Sequence, residues 1–269
     1  ITTPYRQNQF EDTSSELIMN IGLVIIGDEI LSGRRKDRHL EKSIEILHAR
    51  GLKVAWVSYM PDSPELLTQT FQRTLSSSDV IFSFGGIGAT PDDYTRQSVA
   101  DALAVDVIVH PEAKKEIEIQ FGEDAYPNRI KMGMFPEGSR IIPNAFNRIP
   151  GFSVERHHFL PGFPSMAWSM MEWVLDHDYA DQHVKDRDIE RSILIFDVPE
   201  STLIPLMTEC LDLFSGCKVF SLPTITADKK RRVELGVKGN ECVVNLAFEH
   251  LKKMVSRLDC KWEELSPRL

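Results

Sequence analysis

The sequence predicts an α/β protein: a doubly wound, mostly parallel sheet followed by a small α+β domain of ferredoxin-like order. Three observations carry this. Two continuous apolar runs, IGLVII from Ile21 and VIFSF from Val80, read as strands buried on both faces. Each stops abruptly in a glycine-bearing loop, GDEILSG and GGIGATPDDYT. The spacing of apolar residues gives the order βαβαβ before these loops are complete and βαββα(β) after Arg191.

Residues 1–18 are polar and without a sustained period and read as a tail, with Met19 as an alternative start; residues 19–178 form the α/β domain. After IGLVII a helix is expected from about Asp37 to Arg50, with Leu40, Ile44, Leu47 and Ala49 apolar and Gly51 as its stop. LKVAWVSYM is the second strand, and Asp62, Ser63 and Pro64 open a helix through Leu66, Leu67, Thr70, Phe71 and Leu75. SSSD returns the chain to the third strand. Parallel strands joined in this way have right-handed crossovers. With the order 2-1-3, the loops after the first and third strands would face each other across one crevice.

A helix from Arg96 to Leu103, a short strand in VDVIVH and a helix from Pro111 come next. Tyr126 to Met132 reads as one more helical turn, and FPEGSRIIPN as a loop with a short edge strand. GFSVERHHFLPGFP reads as two strands around a tight turn, and SMAWSMMEWVL as a helix placing Met166, Trp168, Met170, Met171 and Trp173 in the core. Residues 179–190 are expected to be a linker and 191–269 the small domain. There SILIFDV, CKVFSL and RRVELGV are strands, Glu200 to Phe214 and Cys242 to Leu258 are helices, and a last strand lies near Trp262.

A chain of 269 residues with 42% hydrophobic and 26% charged residues has the composition of an ordinary globular protein. Its net charge of −9 opposes nonspecific binding to nucleic acid or an anionic membrane, so phosphate ligands would need backbone amides, a metal or a few placed cations. Cys210, Cys217, Cys242 and Cys260 show no CxxC spacing, which indicates neither a zinc site nor a disulfide framework. Free thiols, no spanning run and no leader pattern point to the cytoplasm.

The chemistry concentrates at the two glycine loops. Gly85, Gly86 and Gly88 permit a sharp turn and close approach of a ligand to the amides. Thr90, Pro91, Asp92 and Asp93 read as a cap, a first-turn proline and first-turn acids, so strand, turn and helix start together would bind an anion. Capping alone also explains TPDD, but it does not require three glycines. Gly27, Asp28, Glu29, Ser32 and Gly33 repeat the combination at the first strand's end, with a polar surface turn as the alternative. Acids beside a phosphate loop call for a bridging cation, so Asp28, Glu29, Asp92 and Asp93 are expected to converge on one divalent metal. Pro91 excludes the dinucleotide fingerprint, and no GK[ST] makes a P-loop.

His157 and His158 adjoin on a strand and point to opposite faces, which favours structural roles, while His177 and His183 sit among linker acids. The small domain's order also occurs in RNA-binding modules, and Lys229, Lys230, Arg231 and Arg232 form a basic run. Without platform aromatics in RRVELGV or a glycine clamp, a solvated turn or a subunit contact is the better reading, and nucleic acid is not expected as a partner.

GDEILSG, GGIGATPDDYT, FPEGS and LPGFPS, in that order, resemble the molybdopterin-binding fold, and more closely the N-terminal part of competence/damage-inducible protein A (CinA), over about Ile21 to Leu175. The small domain is similar, more weakly, to the KH-like domain that follows in that family. The resemblance implies a homo-oligomer, dimer or trimer, with a phosphate-bearing ligand in the crevice. In molybdenum-cofactor relatives this is molybdopterin. CinA-type proteins are associated with a metal-dependent ADP-ribose pyrophosphatase, and the nicotinamide-nucleotide amidase of longer members is expected to be absent. The chain departs from the pattern at Ala89, where the family has proline, and at Arg34, Arg35, Lys36, Asp37 and Arg38, where it has small or amide residues.

These readings make Asp28 and Asp93 the expected catalytic residues, with Asp93 essential, and Mg, Mn or Co, with K, the expected ions. Gly27, Ser32, Gly33, Gly85, Gly86, Gly88, Thr90, Thr95, Pro161 and Gly162 are the expected substrate contacts. The leading expectation is a hydrolase of a nucleoside diphosphate sugar such as ADP-ribose. Binding of a phosphorylated pterin without chemistry, and an assembly module without a ligand, are the alternatives.

Overall fold

The computed structural model describes residues 19–184, 188–225 and 230–266, and the expected tail and Lys229 lie outside them. The described residues divide into two compact units, one within 19–42 and 54–178 and the other within 43–53 and 179–266.

In chain order, β1 (Ile21–Ile26) leads into a short helix α1 (Asp28–Leu31), then α2 (His39–His48), whose residues from 43 on fall in the second unit, and, again in the first unit, β2 (Val54–Met60), α3 (Pro64–Leu75), β3 (Val80–Phe84) and α4 (Thr95–Leu103). The chain continues through β4 (Val107–Val109), α5 (Pro111–Phe121), β5 (Met134–Pro136), β6 (Arg140–Ile142), β7 (Gly151–Val154), β8 (His157–Leu160) and α6 (Pro164–Asp178). The main sheet has the order β2-β1-β3-β8-β7-β6. β2, β1, β3 and β8 are parallel, and β7 and β6 add an antiparallel margin. The 2-1-3 order supposed for the three strands is present, and burial agrees with it: every residue of β1 and β3 is buried, whereas the burial of edge strand β2 alternates. β4 and β5 pair outside this sheet as a separate ribbon.

The core of this unit is joined by aromatics. Phe152 stacks on Phe159 at 4.5 Å and on Phe135 at 4.8 Å, and Phe71 meets Phe159 edge-on at 5.3 Å. In α6, Met170 and Met171 are buried as expected, but Met166, Trp168 and Trp173 are not fully buried. Helix α2 is capped by Asp37, whose carboxylate accepts the N–H groups of His39 at 2.7 Å and Leu40 at 3.2 Å.

One sequence expectation is corrected at the loop after β3. TPDD does not open a helix, because α4 starts only at Thr95, with Tyr94 preceding it. Asp93 instead turns back and accepts the Thr90 N–H at 2.7 Å, closing a turn. The helix starts so late because Thr95 and Arg96 are engaged by the loop itself, through the carbonyls of residues 85 to 88.

In the second unit, β9 (Asp188–Phe196), α7 (Glu200–Leu213), β10 (Lys218–Ile225), β11 (Arg231–Asn240), α8 (Glu241–Val255) and β12 (Trp262–Glu264) form a βαββαβ chain. The strand order β10-β11-β9-β12 with antiparallel pairing is the ferredoxin-like arrangement. Its core gathers Ile193, Ile195, Leu235 and Val237 from the sheet with Phe248 and Leu251 from α8. Asn240 caps α8 by accepting the Cys242 N–H at 3.0 Å. Arg231 and Arg232 pair with β10, and the Arg232 guanidinium lies over Phe196. All four cysteines are free. No helix among the described residues is long and apolar enough to cross a membrane.

His157 and His158 are buried on opposite faces of β8. His157 Nε2 lies 2.9 Å from Thr74 Oγ1, and His158 Nδ1 lies 2.8 Å from Ser153 Oγ. Burial lowers the His157 pKa to about 4 and that of His158 to about 3 from 6.5. Both stay neutral in the folded protein while unfolded histidines take up protons, so stability falls as pH falls from 6.5 toward about 4. Urea unfolding across this window should show the loss, with a shallower pH slope for His158→Gln. An unchanged slope would remove His158 from the account.

Candidate functional site

A cleft of about 430 Å³ opens past the carboxyl ends of β1, β2, β3 and β8. Its floor is the loop after β3. Gly85 and Gly86 have φ of 103° and 68°, conformations that favour glycine. A Cβ on Gly86 would stand 2.2 Å from Thr95 Oγ1, and one on Gly85 2.5 Å from the Ile26 carbonyl.

Four successive carbonyls of this loop are taken from below. Thr95 donates its hydroxyl to Gly85 O and its N–H to Gly86 O, both at 3.0 Å. The Arg96 guanidinium donates to Ile87 O at 2.5 Å and to Gly88 O. In a planar trans peptide the N–H points opposite to the carbonyl it is bonded to. The amides of Gly86, Ile87, Gly88 and Ala89 are therefore turned away from α4, and none has an acceptor among the described residues. All four residues line the cleft, so the loop presents a row of free donors suited to an anion.

The other walls come from three strand ends. The Gly27 N–H donates to Met60 O at 3.1 Å, tying the end of β1 to the end of β2. Asp28 and Asp62 then exchange bonds, the Asp28 N–H with Asp62 Oδ2 at 3.0 Å and the Asp62 N–H with Asp28 Oδ1 at 3.3 Å. After β8, the Gly162 carbonyl lies 3.3 Å from Nε2 of His39, whose ring stacks on Phe84 at 4.6 Å. Burial lowers the His39 pKa, against the opposing Gly162 carbonyl and Asp37 charge, and so favours the neutral imidazole. Met132, Ile149, Pro150, Phe163 and Met166 make an apolar wall.

Of the residues expected from the sequence, Gly27, Glu29, Gly85, Gly86, Gly88, Thr90, Asp92, Asp93, Pro161 and Gly162 line the cleft. Asp28, Ser32, Gly33 and Thr95 do not. Thr95 lies fully buried beneath the floor, and Ser32 and Gly33 are exposed beyond α1. The four acids do not converge as a set: among the described residues no three His, Cys, Asp or Glu side chains group as a metal site. The reason is local. Asp28 is engaged by Asp62, Glu29 faces Arg35 and Asp93 holds Thr90. A preformed protein cage for a metal does not fit these residues. A magnesium ion held by one or two carboxylates and by the phosphates of a ligand does.

Sequence reasoning missed Asp62, which it treated only as a helix opener. Burial raises its pKa; the Asp28 N–H opposes the shift, and the charges of Asp28, Glu29 and Asp92 add to it. Its position at the end of a parallel strand next to the first was the available signal. The apolar wall was missed because Met166 fits a core-facing helical spacing equally well.

The chain matches the family model "Probable molybdopterin binding domain" over residues 22–180. It is 31% identical over 252 residues to a protein of Caldivirga maquilingensis, covering 89% of this chain and 96% of that one. It is 31% identical over 202 residues to a CinA-like protein of Anaeromyxobacter dehalogenans, covering 72% of this chain and 49% of that relative. Among solved structures it is similar to the protein CinA from Thermoplasma acidophilum, whose function that structure's description gives as unknown. The identity is 27% and the TM-score 0.54, over 59% of this chain and 98% of that one.

With the floor built in this way, Gly86→Ala should lose stability by about 2 kcal/mol or more in urea unfolding, since both φ and space oppose a methyl group. Gly33→Ala, at φ 71° with nothing within 4 Å, should lose only the cost of the left-handed conformation, about 1 kcal/mol. Equal losses would show that the contact with Thr95 is unimportant.

Proposed function

This chain belongs to the CinA-type molybdopterin-binding domain family, and on that premise we propose that its cleft binds and hydrolyses the pyrophosphate of a nucleoside diphosphate sugar, with ADP-ribose as the first candidate. The observation that carries this reading is the row of free amides at Gly86, Ile87, Gly88 and Ala89 in one cleft with Glu29, Asp62 and Asp92. Amides without acceptors suit phosphate oxygens, and the apolar wall of Met132, Phe163 and Met166 suits a planar ring.

In this reading the loop amides bind the phosphates and orient the scissile bond. Glu29 and Asp92 would hold a divalent cation that arrives with those phosphates. When bound, such an ion supplies charge neutralisation and an activated water. Asp62 accepts the Asp28 N–H and so fixes the wall on which Glu29 stands; burial and its acidic neighbours raise its pKa above that of a free aspartate. Asp93 acts by position, since its carboxylate fixes Thr90 and thereby the rim of the amide row.

A second reading is favoured by the family's own description: the same amides and apolar wall hold a phosphorylated pterin such as molybdopterin, with no chemistry. AMP release from ADP-ribose separates the two. With magnesium, manganese or cobalt, and potassium present, the wild type should release AMP, and Asp62→Asn and Asp93→Asn should lose at least about tenfold in rate. No release with any of these metals, together with a fluorescent pterin co-purifying with the protein, would favour the second reading.

A further inference from the structure

The ligand proposed above is anionic, yet four carboxylates, those of Glu29, Asp62, Asp92 and Asp93, line the cleft. The loop amides offer partial charges only. Among the lining residues a single side chain carries a full positive charge, and that is Arg35.

Arg35 is held at the cleft by its backbone, whose N–H donates to the Glu29 carbonyl at 2.8 Å. Its guanidinium pairs with the Glu29 carboxylate at 3.5 Å, in a pair whose side chains are 61% and 38% exposed. An open ion pair at that separation is weak and exchanges readily. A phosphate group offers a guanidinium two parallel, charge-assisted bonds, a better partner than the present one.

We propose that Arg35 is a phosphate-binding residue of this cleft and that it exchanges Glu29 for the ligand's phosphate oxygens on binding. The exchange settles the charge balance on both sides. Arg35 neutralises part of the phosphate charge, and Glu29, released, faces the same phosphates as a free carboxylate suited to the cation they carry. Arg34 and Lys36 belong to the same exposed loop but do not line the cleft, so they serve as controls. The inference rests on the phosphate reading of the cleft but not on hydrolysis.

The test is calorimetric titration of the full chain with inorganic pyrophosphate and with ADP-ribose, in EDTA and in magnesium. It compares wild type, Arg35→Gln and Arg34→Gln, with melting temperatures confirming that all fold. Arg35→Gln should weaken both ligands by about tenfold or more in EDTA, while Arg34→Gln stays within about twofold. The magnesium-dependent gain in affinity should persist in Arg35→Gln, because Glu29 is then free from the outset. Wild-type affinity in Arg35→Gln, or equal losses in both variants, would overturn the assignment while leaving the phosphate reading standing. No binding by the wild type in either buffer would overturn both.

Discussion

Thr95 and Arg96 satisfy four successive carbonyls of the loop after β3, and the chemistry available to the cleft follows from that constraint. A buried carbonyl must find a donor, and here the donors all come from the first turn of α4. The loop is consequently anchored to the helix start through its carbonyls, and the N–H groups of Gly86, Ile87, Gly88 and Ala89 point away from those donors. The guanidinium of Arg96 is largely taken out of water to achieve this, a cost offset by its bonds to Ile87 and Gly88.

The same constraint explains why the site stands where it does. A loop that must fit between Ile26 on one side and Thr95 on the other has no room for side chains at Gly85 and Gly86. The parallel order β2-β1-β3-β8 delivers three other strand ends to the same edge. Each arrives with its own tie: Gly27 to Met60, Asp28 with Asp62, and the Gly162 carbonyl beside His39. The walls are thus fixed by ties to neighbouring strand ends and to the first residue of α2, which is what a binding site requires of its scaffold.

The two central strands were legible in the sequence because burial on both faces leaves continuous apolar runs at β1 and β3, whereas VAWVSYM at β2 is equally apolar and only its burial alternates, so the order 2-1-3 entered as a supposition. The glycines of the loop were legible for a similar reason, since few other residues tolerate those conformations. TPDD was misread because capping a helix and closing a turn draw on the same residue types, and only the direction of the Asp93 carboxylate distinguishes them. The expected meeting of Asp28, Glu29, Asp92 and Asp93 failed for a related reason. Proximity of loops can be argued from topology, whereas each carboxylate chooses its own local donor. Met166 was overlooked because its spacing is that of a core residue, and Asp62 because it has the form of an ordinary helix opener.

Ala89 ends the row of amides, and its backbone N–H is one of the donors turned outward. Proline, which has no N–H, cannot supply a donor at that position. The loop can therefore gain or lose one unit of anion affinity through a substitution that alters neither its anchoring carbonyls nor any side chain that touches a ligand. Affinity for phosphate and the shape of the floor are separable in this architecture. The floor is set from beneath by residues 95 and 96, while the number of donors is set at the rim.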